Sequence, residues 1–234
     1  MKLKILTVFF CICRQNITNM LNIYYNCVNN IDIMKKNDKI VSQGKTIMRI
    51  ISGKAKGTKL YTLEGNETRP TLDRVKESVF NIIQNEISGS IFLDLFSGSG
   101  AIGLEAASRG ATKTIMCEKS KDAINIIKRN IEKTHLEKEV TLYEGDYENI
   151  LATKIKEKLD IIYIDPPYKT NYATKTVQLL IKEQLLKSDS IVIIETDIPE
   201  EVLTKLEQIG QMQVTDIRKY GRATIIVLQT KEPN

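Results

Sequence analysis

The stretch Ile91-Phe92-Leu93-Asp94-Leu95-Phe96-Ser97-Gly98-Ser99-Gly100-Ala101-Ile102-Gly103 decides the fold. An apolar run of strand length ends in a serine- and glycine-rich turn and passes directly into a helical pattern. Gly98, Gly100 and Gly103 satisfy G-x-G-x-x-G, with the strand before and the helix after it that the motif requires. Such glycines permit a tight turn and let a ligand lie against the main chain at a helix N-terminus. Twenty residues after Gly98 comes Glu118, at the end of the next apolar run, where a carboxylate suits the diol of a ribose. An adenosine-bearing cofactor is therefore expected to meet Phe96, Gly98, Gly100 and Glu118. Asp94 is expected beside them, ordering the turn by accepting backbone N–H groups. These residues alone leave a nicotinamide dinucleotide and S-adenosylmethionine equally open.

Outward from this turn, apolar strands alternate with helices. Strands are predicted at about Ile91–Phe96, Lys113–Cys117, Val140–Tyr143, Ile161–Ile164, Ser190–Glu195, Gln213–Lys219 and Ala223–Leu228. Helices are predicted at about Ala101–Ser108, Lys121–Lys133, Ile150–Lys156, Thr174–Leu185 and Pro199–Gln208. This alternation implies an α/β domain with a mostly parallel sheet covered on both faces. Only Tyr220-Gly221-Arg222 separates the last two strands, too few residues for a crossover helix, so the last strand must run antiparallel. Ahead of the domain, Arg49–Ser52 and Thr58–Tyr61 flank Gly53-Lys54-Ala55-Lys56-Gly57 and predict a small β-hairpin with a basic turn. After Arg69-Pro70, apolar positions at Leu72, Val75, Val79, Ile82, Ile83 and Ile87 predict a helix with Thr71 as its N-cap. The expected division is thus residues 1–47 as a tail, 48–88 as hairpin and helix, and 89–234 as the catalytic domain.

Asp165-Pro166-Pro167-Tyr168 separates the cofactor alternatives. It follows the run Asp160–Ile164, so it stands at the tip of the fourth strand. Two prolines fix φ and hold the step extended, which lets a carboxylate and a neighbouring carbonyl face a ligand. Together these accept both N–H bonds of an exocyclic amine, while a tyrosine ring stacks on the attached heterocycle. Taken alone, the tetrapeptide fits a plain strand-ending turn with a Pro-Pro stop equally well. Asp146, after the third strand, is placed to accept from an adenine amine. Arg69 and Thr71 have two open roles, helix capping or contact with the amino-acid end of the cofactor.

Composition limits what else the chain does. It has 34 Lys and Arg against 29 Asp and Glu, but residues 1–47 hold seven of the bases and two of the acids. The remaining 187 residues carry 27 of each, so the basic balance is no argument for a nucleic-acid partner. Locally, Arg49, Lys54, Lys56 and Lys59 form a basic patch free of acids. Cys117 is the one cysteine beyond residue 47 and His135 the one histidine, which disfavours a zinc site or a Cys/His nucleophile. That cysteine usage fits a reducing, cytoplasmic compartment. Residues 1–47 are rich in asparagine and lack sustained periodicity. The apolar run Ile5–Cys13 is too short to span a bilayer, and no small-residue cleavage site follows it. Two readings stay open: a disordered tail, or sequence upstream of an initiator at Met48.

Taken together these residues resemble the class I S-adenosylmethionine-dependent methyltransferases that modify exocyclic amines. More narrowly, Met48–Gly53, Arg69-Pro70-Thr71 with Asp73–Glu77, the glycine turn and Asp165–Tyr168 occur in an order similar to the RsmD-type 16S ribosomal RNA guanine-N2 methyltransferases. The resemblance covers roughly Met48 to Leu228. It implies a Rossmann-like seven-stranded sheet with an antiparallel last strand, S-adenosylmethionine as cofactor and no metal. Its implied substrate is 16S rRNA in an assembling small ribosomal subunit, with no membrane partner. Gly98 and Gly100 would cradle the cofactor, Glu118 would hold its ribose and Asp146 its adenine. Asp165, Pro166, Pro167 and Tyr168 would hold the guanine, and Arg49, Lys54, Lys56 and Lys59 would contact RNA phosphate. Competing readings are an adenine-N6 DNA methyltransferase, a nicotinamide-dependent oxidoreductase and a non-catalytic RNA-binding module.

Overall fold

The computed structural model describes residues 48–63, 70–167 and 170–231. The expectations for residues 1–47, for Arg69 and for Tyr168 lie outside the described residues, as does the side chain of Thr71. In chain order the elements are α1 (Pro70–Ile82), β1 (Ile91–Leu95), α2 (Ala101–Ser108), β2 (Lys113–Glu118), α3 (Lys121–Thr134), β3 (Val140–Glu144), α4 (Tyr147–Thr153), β4 (Leu159–Ile164), α5 (Tyr172–Lys182), β5 (Leu186–Thr196), α6 (Pro199–Ile209), β6 (Met212–Tyr220) and β7 (Ala223–Thr230).

The strands form one seven-stranded sheet in the order β3-β2-β1-β4-β5-β7-β6. β1 to β5 pair in parallel, and β7 runs antiparallel to both β5 and β6. The two-residue link Gly221-Arg222 closes the β6–β7 pair, with Gly221 at φ 62. Central strands such as Ile91–Leu95 and Leu159–Ile164 read as almost unbroken apolar runs because both faces are covered. On one face Leu93, Leu95, Ile162, Ile164, Val192 and Ile194 pack with Ile150, Val177 and Val202 of α4, α5 and α6. On the other, Phe92, Ile161 and Ile193 meet Val75 and Val79 of α1, while Met116 meets Leu104 of α2 and Ile127 of α3.

Three local expectations change. Helix α1 starts at Pro70, so Thr71 lies in its first turn rather than capping it; a first-turn proline sacrifices only an N–H that would lack a helical acceptor. Helix α4 starts at Tyr147, three residues early, because the Asp146 carboxylate accepts the Glu148 N–H at 3.1 Å and caps it. The N-terminal hairpin reduces to one antiparallel bridge, Arg49 with Lys59. Backbone bonds Ile50 N to Thr58 O (3.0 Å), Gly57 N to Ile50 O (2.8 Å) and Leu60 N to Met48 O (2.8 Å) complete it.

The physical reason lies beneath the hairpin. Its turn is spent on docking: Lys54 N donates to Ser108 O (2.8 Å) and Ala55 N to Ser108 Oγ (2.9 Å), at the end of α2. A Cβ on Gly53, whose φ is 83°, would sit 1.8 Å from Ser108 O, so no other residue fits there. Beside it the fully buried Glu105 carboxylate accepts the N–H groups of Ile51 (2.7 Å) and Ser52 (2.9 Å), Lys76 Nζ (3.2 Å) and Arg109 Nε (2.8 Å). Lys76, itself buried, also donates to the Arg49 carbonyl. One anion thereby ties the hairpin, α1 and α2 together.

Replacing Glu105 by alanine removes a buried carboxylate that pairs with Lys76 and Arg109 and leaves the Ile51 and Ser52 amides without that acceptor. Such half-broken buried pairs cost about 3–5 kcal/mol. The expected outcome is a correspondingly lower urea midpoint for Glu105→Ala, with Glu105→Gln milder because its amide oxygen still accepts; equal midpoints for wild type and Glu105→Ala would refute it.

Candidate active site

Because β1 to β5 are parallel, the residues that follow them leave the sheet at one edge. The strand order reverses between β1 and β4, which is where an open α/β sheet forms its ligand crevice. The β1–β4 register pairs Asp94 with Tyr163 and Leu95 with Ile164, so the glycine turn and the Asp165 step emerge side by side.

The glycine turn is braced from within. Ser97 Oγ donates to Asp94 O (2.8 Å) and accepts from Cys117 N (3.2 Å). Asp94 is only 2% exposed, and its Oδ2 accepts the Gly103 N–H at 2.9 Å. A Cβ at Gly103 would lie 2.7 Å from Met116 Sδ, so the third glycine of the motif serves helix-on-strand packing. Gly98, at φ 56, is different: a Cβ there would meet nothing within 4 Å, which leaves that bend open to a ligand. Gly100, at φ 78, forms the N-cap of α2. Phe96 also takes a positive φ, 67°, a costly conformation for a bulky residue and one found where a site imposes it. Its ring meets those of Tyr147 (4.9 Å) and Tyr172 (6.1 Å).

Glu118 bridges this turn to the start of α3. Its Oε2 accepts Gly98 N (2.8 Å), and its Oε1 accepts Lys119 N (2.7 Å) and Ser120 N (2.8 Å). A carboxylate has about four acceptor positions, so three backbone bonds leave one for a ribose hydroxyl. Asp146, besides capping α4, pairs with Lys119 Nζ at 3.2 Å, at the open surface. The open bend at Gly98, the N-terminus of α2 and the two strand-tip acids together fit an adenosine-bearing cofactor.

Across the crevice, Asp165, Pro166 and Pro167 extend from β4 without joining a strand or helix, and Thr170 Oγ1 donates to Pro167 O at 2.8 Å. The three residues line a pocket with Glu195, Thr196 and Ala223. Asp165 keeps one face open to solvent, while burial of its other side and the Glu195 and Asp94 charges hold its carboxyl well above the usual range. Burial likewise raises Glu195, and the bond from the Tyr163 hydroxyl opposes this. Glu195 was not singled out in the sequence; its signal is an acid ending the run Ile191–Ile194, as Asp165 ends that of β4. Not every expected residue converges here. The basic turn docks at the far end of α2 from the glycine turn, about 12 Å away by helix rise. Arg49, Lys54, Lys56 and Lys59 are exposed, and Lys54 pairs with Glu139 at 2.6 Å. Among the described residues no group of three or more His, Cys, Asp and Glu side chains is arranged to hold a metal ion, and no helix is long and apolar enough to cross a membrane.

The sheet order, the glycine turn and the acid at the second strand define a class I S-adenosylmethionine-dependent methyltransferase. Residues 48–229 match the family described as "Conserved hypothetical protein 95", the RsmD family, and the chain belongs to it. The ribosomal RNA small subunit methyltransferase D of Buchnera aphidicola is 37% identical over 175 residues, 74% of this chain and 84% of that protein. A Haemophilus influenzae crystal structure described as a candidate methylase superposes with a TM-score of 0.64 at 28% identity, covering 80% of this chain and 100% of its own. The candidate methyltransferase SMU.776, solved with S-adenosylhomocysteine, shares the fold at 18% identity with a TM-score of 0.58, covering 74% of this chain and 53% of its own. Family membership sets aside the nicotinamide-dependent and non-catalytic readings.

Burial, reinforced by the Glu118 charge and opposed by the Gly103 amide, raises Asp94 from 3.8 to about 7. Between about pH 4 and about pH 7 the folded state therefore keeps a proton that the unfolded chain releases. This contribution stabilises the ligand-free fold at acid pH and is lost as pH rises through about 7. Asp94→Asn keeps an acceptor for Gly103 and cannot ionise, so its urea stability should lack that part of the decline; parallel pH profiles for the two proteins would refute the assignment.

Proposed function

We propose that this methyltransferase transfers a methyl group from S-adenosylmethionine to the exocyclic N2 amine of a guanine in 16S ribosomal RNA. The observation that carries this reading is the acid-Pro-Pro step at the tip of β4, set beside the glycine turn in a chain related to proteins named for small-subunit rRNA methylation. Bound S-adenosylmethionine supplies an electrophilic methyl group on a sulfonium sulfur.

The rest falls to the protein. The N2 lone pair of guanine is delocalised into the ring and is a weak nucleophile. Asp165 and the Pro166 carbonyl accept its two N–H bonds and favour the pyramidal amine whose lone pair points along the transfer axis. Two prolines keep those acceptors fixed, so alignment is built before the substrate arrives. Glu118 and the Gly98 bend hold the adenosine from the opposite side, and Asp146 takes the adenine amine. Arg69 and Thr71 contribute at the amino-acid end of the cofactor. The target base must leave its stack to reach the pocket, and Tyr168 replaces the lost stacking. Outside the crevice, Arg49, Lys54, Lys56 and Lys59 bind RNA phosphate, which gives affinity without sequence information. The same reading makes the substrate an assembling small subunit in the cytoplasm.

Mass spectrometry of 16S RNA from cells with and without the gene should reveal one guanine that loses a methyl group at N2. Loss at an adenine, or no loss, would overturn the reading. With the purified protein, Asp165→Ala should retain S-adenosylmethionine affinity by calorimetry and lose about 100- to 1,000-fold in transfer, the usual cost of removing one fixed hydrogen-bonding group; undiminished turnover would sink the role of Asp165.

A further inference from the structure

The acid that ends β5 lies in the same pocket as the Asp165 step, and the transfer described above leaves it without a task. Ile164 and Ile194 are partners in the β4–β5 ladder, so Asp165, just beyond β4, and Glu195, near the end of β5, stand at the same level. One level back, Tyr163 faces Ile193, and both side chains pack on the α1 side of the sheet. Glu195, two residues beyond Ile193, continues that face. There the Tyr163 hydroxyl donates to Glu195 Oε2. Tyr163 is 2% exposed and fixed by its strand, so it anchors the carboxylate. On the other flank Glu195 is in register with Ile225 of β7, and Ala223, at the start of β7, closes the same pocket.

Two neighbouring carboxylates at one pocket suit two neighbouring donors on one ligand edge. Guanine presents that edge: N1–H stands next to the N2 amine. Adenine has a lone pair at N1, which an ionised carboxylate repels, and the bond from the Tyr163 hydroxyl favours that ionised form of Glu195. Asp165 and the Pro166 carbonyl engage an amine, a group both purines possess, and so cannot tell them apart. We infer that Glu195 is the base-selecting residue of this site, accepting the guanine N1–H while Asp165 holds the amine. The inference rests on the guanine-N2 reading and names what enforces it. The Tyr163 bond uses one of about four acceptor positions on the carboxylate, leaving capacity for N1–H.

The test compares two 16S RNAs that differ at the mapped target nucleotide, one with guanine and one with 2-aminopurine introduced by splinted ligation. 2-Aminopurine keeps the amine at C2 but carries a lone pair at N1. Wild-type kcat/KM should fall by about 10- to 100-fold from guanine to 2-aminopurine, the worth of one hydrogen bond to a charged acceptor. Glu195→Gln can present its amide NH2 to that lone pair, so its kcat/KM for the two substrates should agree within about threefold or favour 2-aminopurine. A merely structural role for Glu195 would slow both substrates alike, and unchanged discrimination in Glu195→Gln overturns the inference. Tyr163→Phe, which releases the anchor, should lie between wild type and Glu195→Gln. Should Glu195→Gln fail to fold, unchanged discrimination in Tyr163→Phe overturns the inference in its place. Failure of the wild-type protein to methylate the guanine RNA overturns the guanine reading and this inference with it.

Discussion

Parallel pairing of β1 with β4 is the constraint on which the molecule turns. Each strand alone carries half a site: one ends in a bend open to a cofactor, the other in a rigid step of acceptors. Hydrogen bonding in a fixed register brings the halves to one level, with Asp94 opposite Tyr163 and Leu95 opposite Ile164. A slip of one residue would exchange the faces taken by Asp94 and by Leu93 and Leu95, driving a carboxylate into the layer that packs the two leucines and misplacing the turn. The apolar character of Phe92, Leu93 and Leu95 therefore guards the geometry of the site as well as its stability.

The crevice concentrates negative charge. Asp94 beneath the glycine turn, Asp165 and Glu195 at the pocket and Glu118 at the tip of β2 lie on neighbouring strands, and burial pushes three of them toward their protonated forms. Protonation relieves part of the mutual repulsion of these acids in the ligand-free protein. Tyr163 and the Gly103 amide temper the repulsion at fixed points, which keeps the acids in place while leaving them short of partners.

Most of the sheet was legible in the sequence because local patterns dictate it. The run Ile91–Leu95, the glycines after it and the short link at Gly221 each specify their own conformation. Two of the misses share a cause, which is that the deciding partner lies far along the chain. Thr58–Tyr61 has the composition of a strand, yet its ladder is the single Arg49–Lys59 bridge: Tyr61 N donates to Asn130 Oδ1, and the turn before the segment is held by Glu105 and Ser108. Glu195 looks like an ordinary strand-end acid until Tyr163, 32 residues away, is found bonded to it. The Asp146 helix cap, which sets the start of α4, is a different case: it needs only Glu148 two residues on and is legible in the sequence.

The way the N-terminal segment is mounted has a consequence for how its surface can change. Ile51, Ser52, Lys54 and Ala55 all dock through main-chain N–H groups, while the buried Ile50, Ala55 and Leu60 side chains pack on α2, so the attachment depends on these apolar side chains and on Gly53 as well as on the main chain. Charges at positions 56 and 59 can be exchanged without loosening the mount, whereas Lys54 also pairs with Glu139. Partner preference and attachment are thus free to evolve separately, on the two sides of a single short loop.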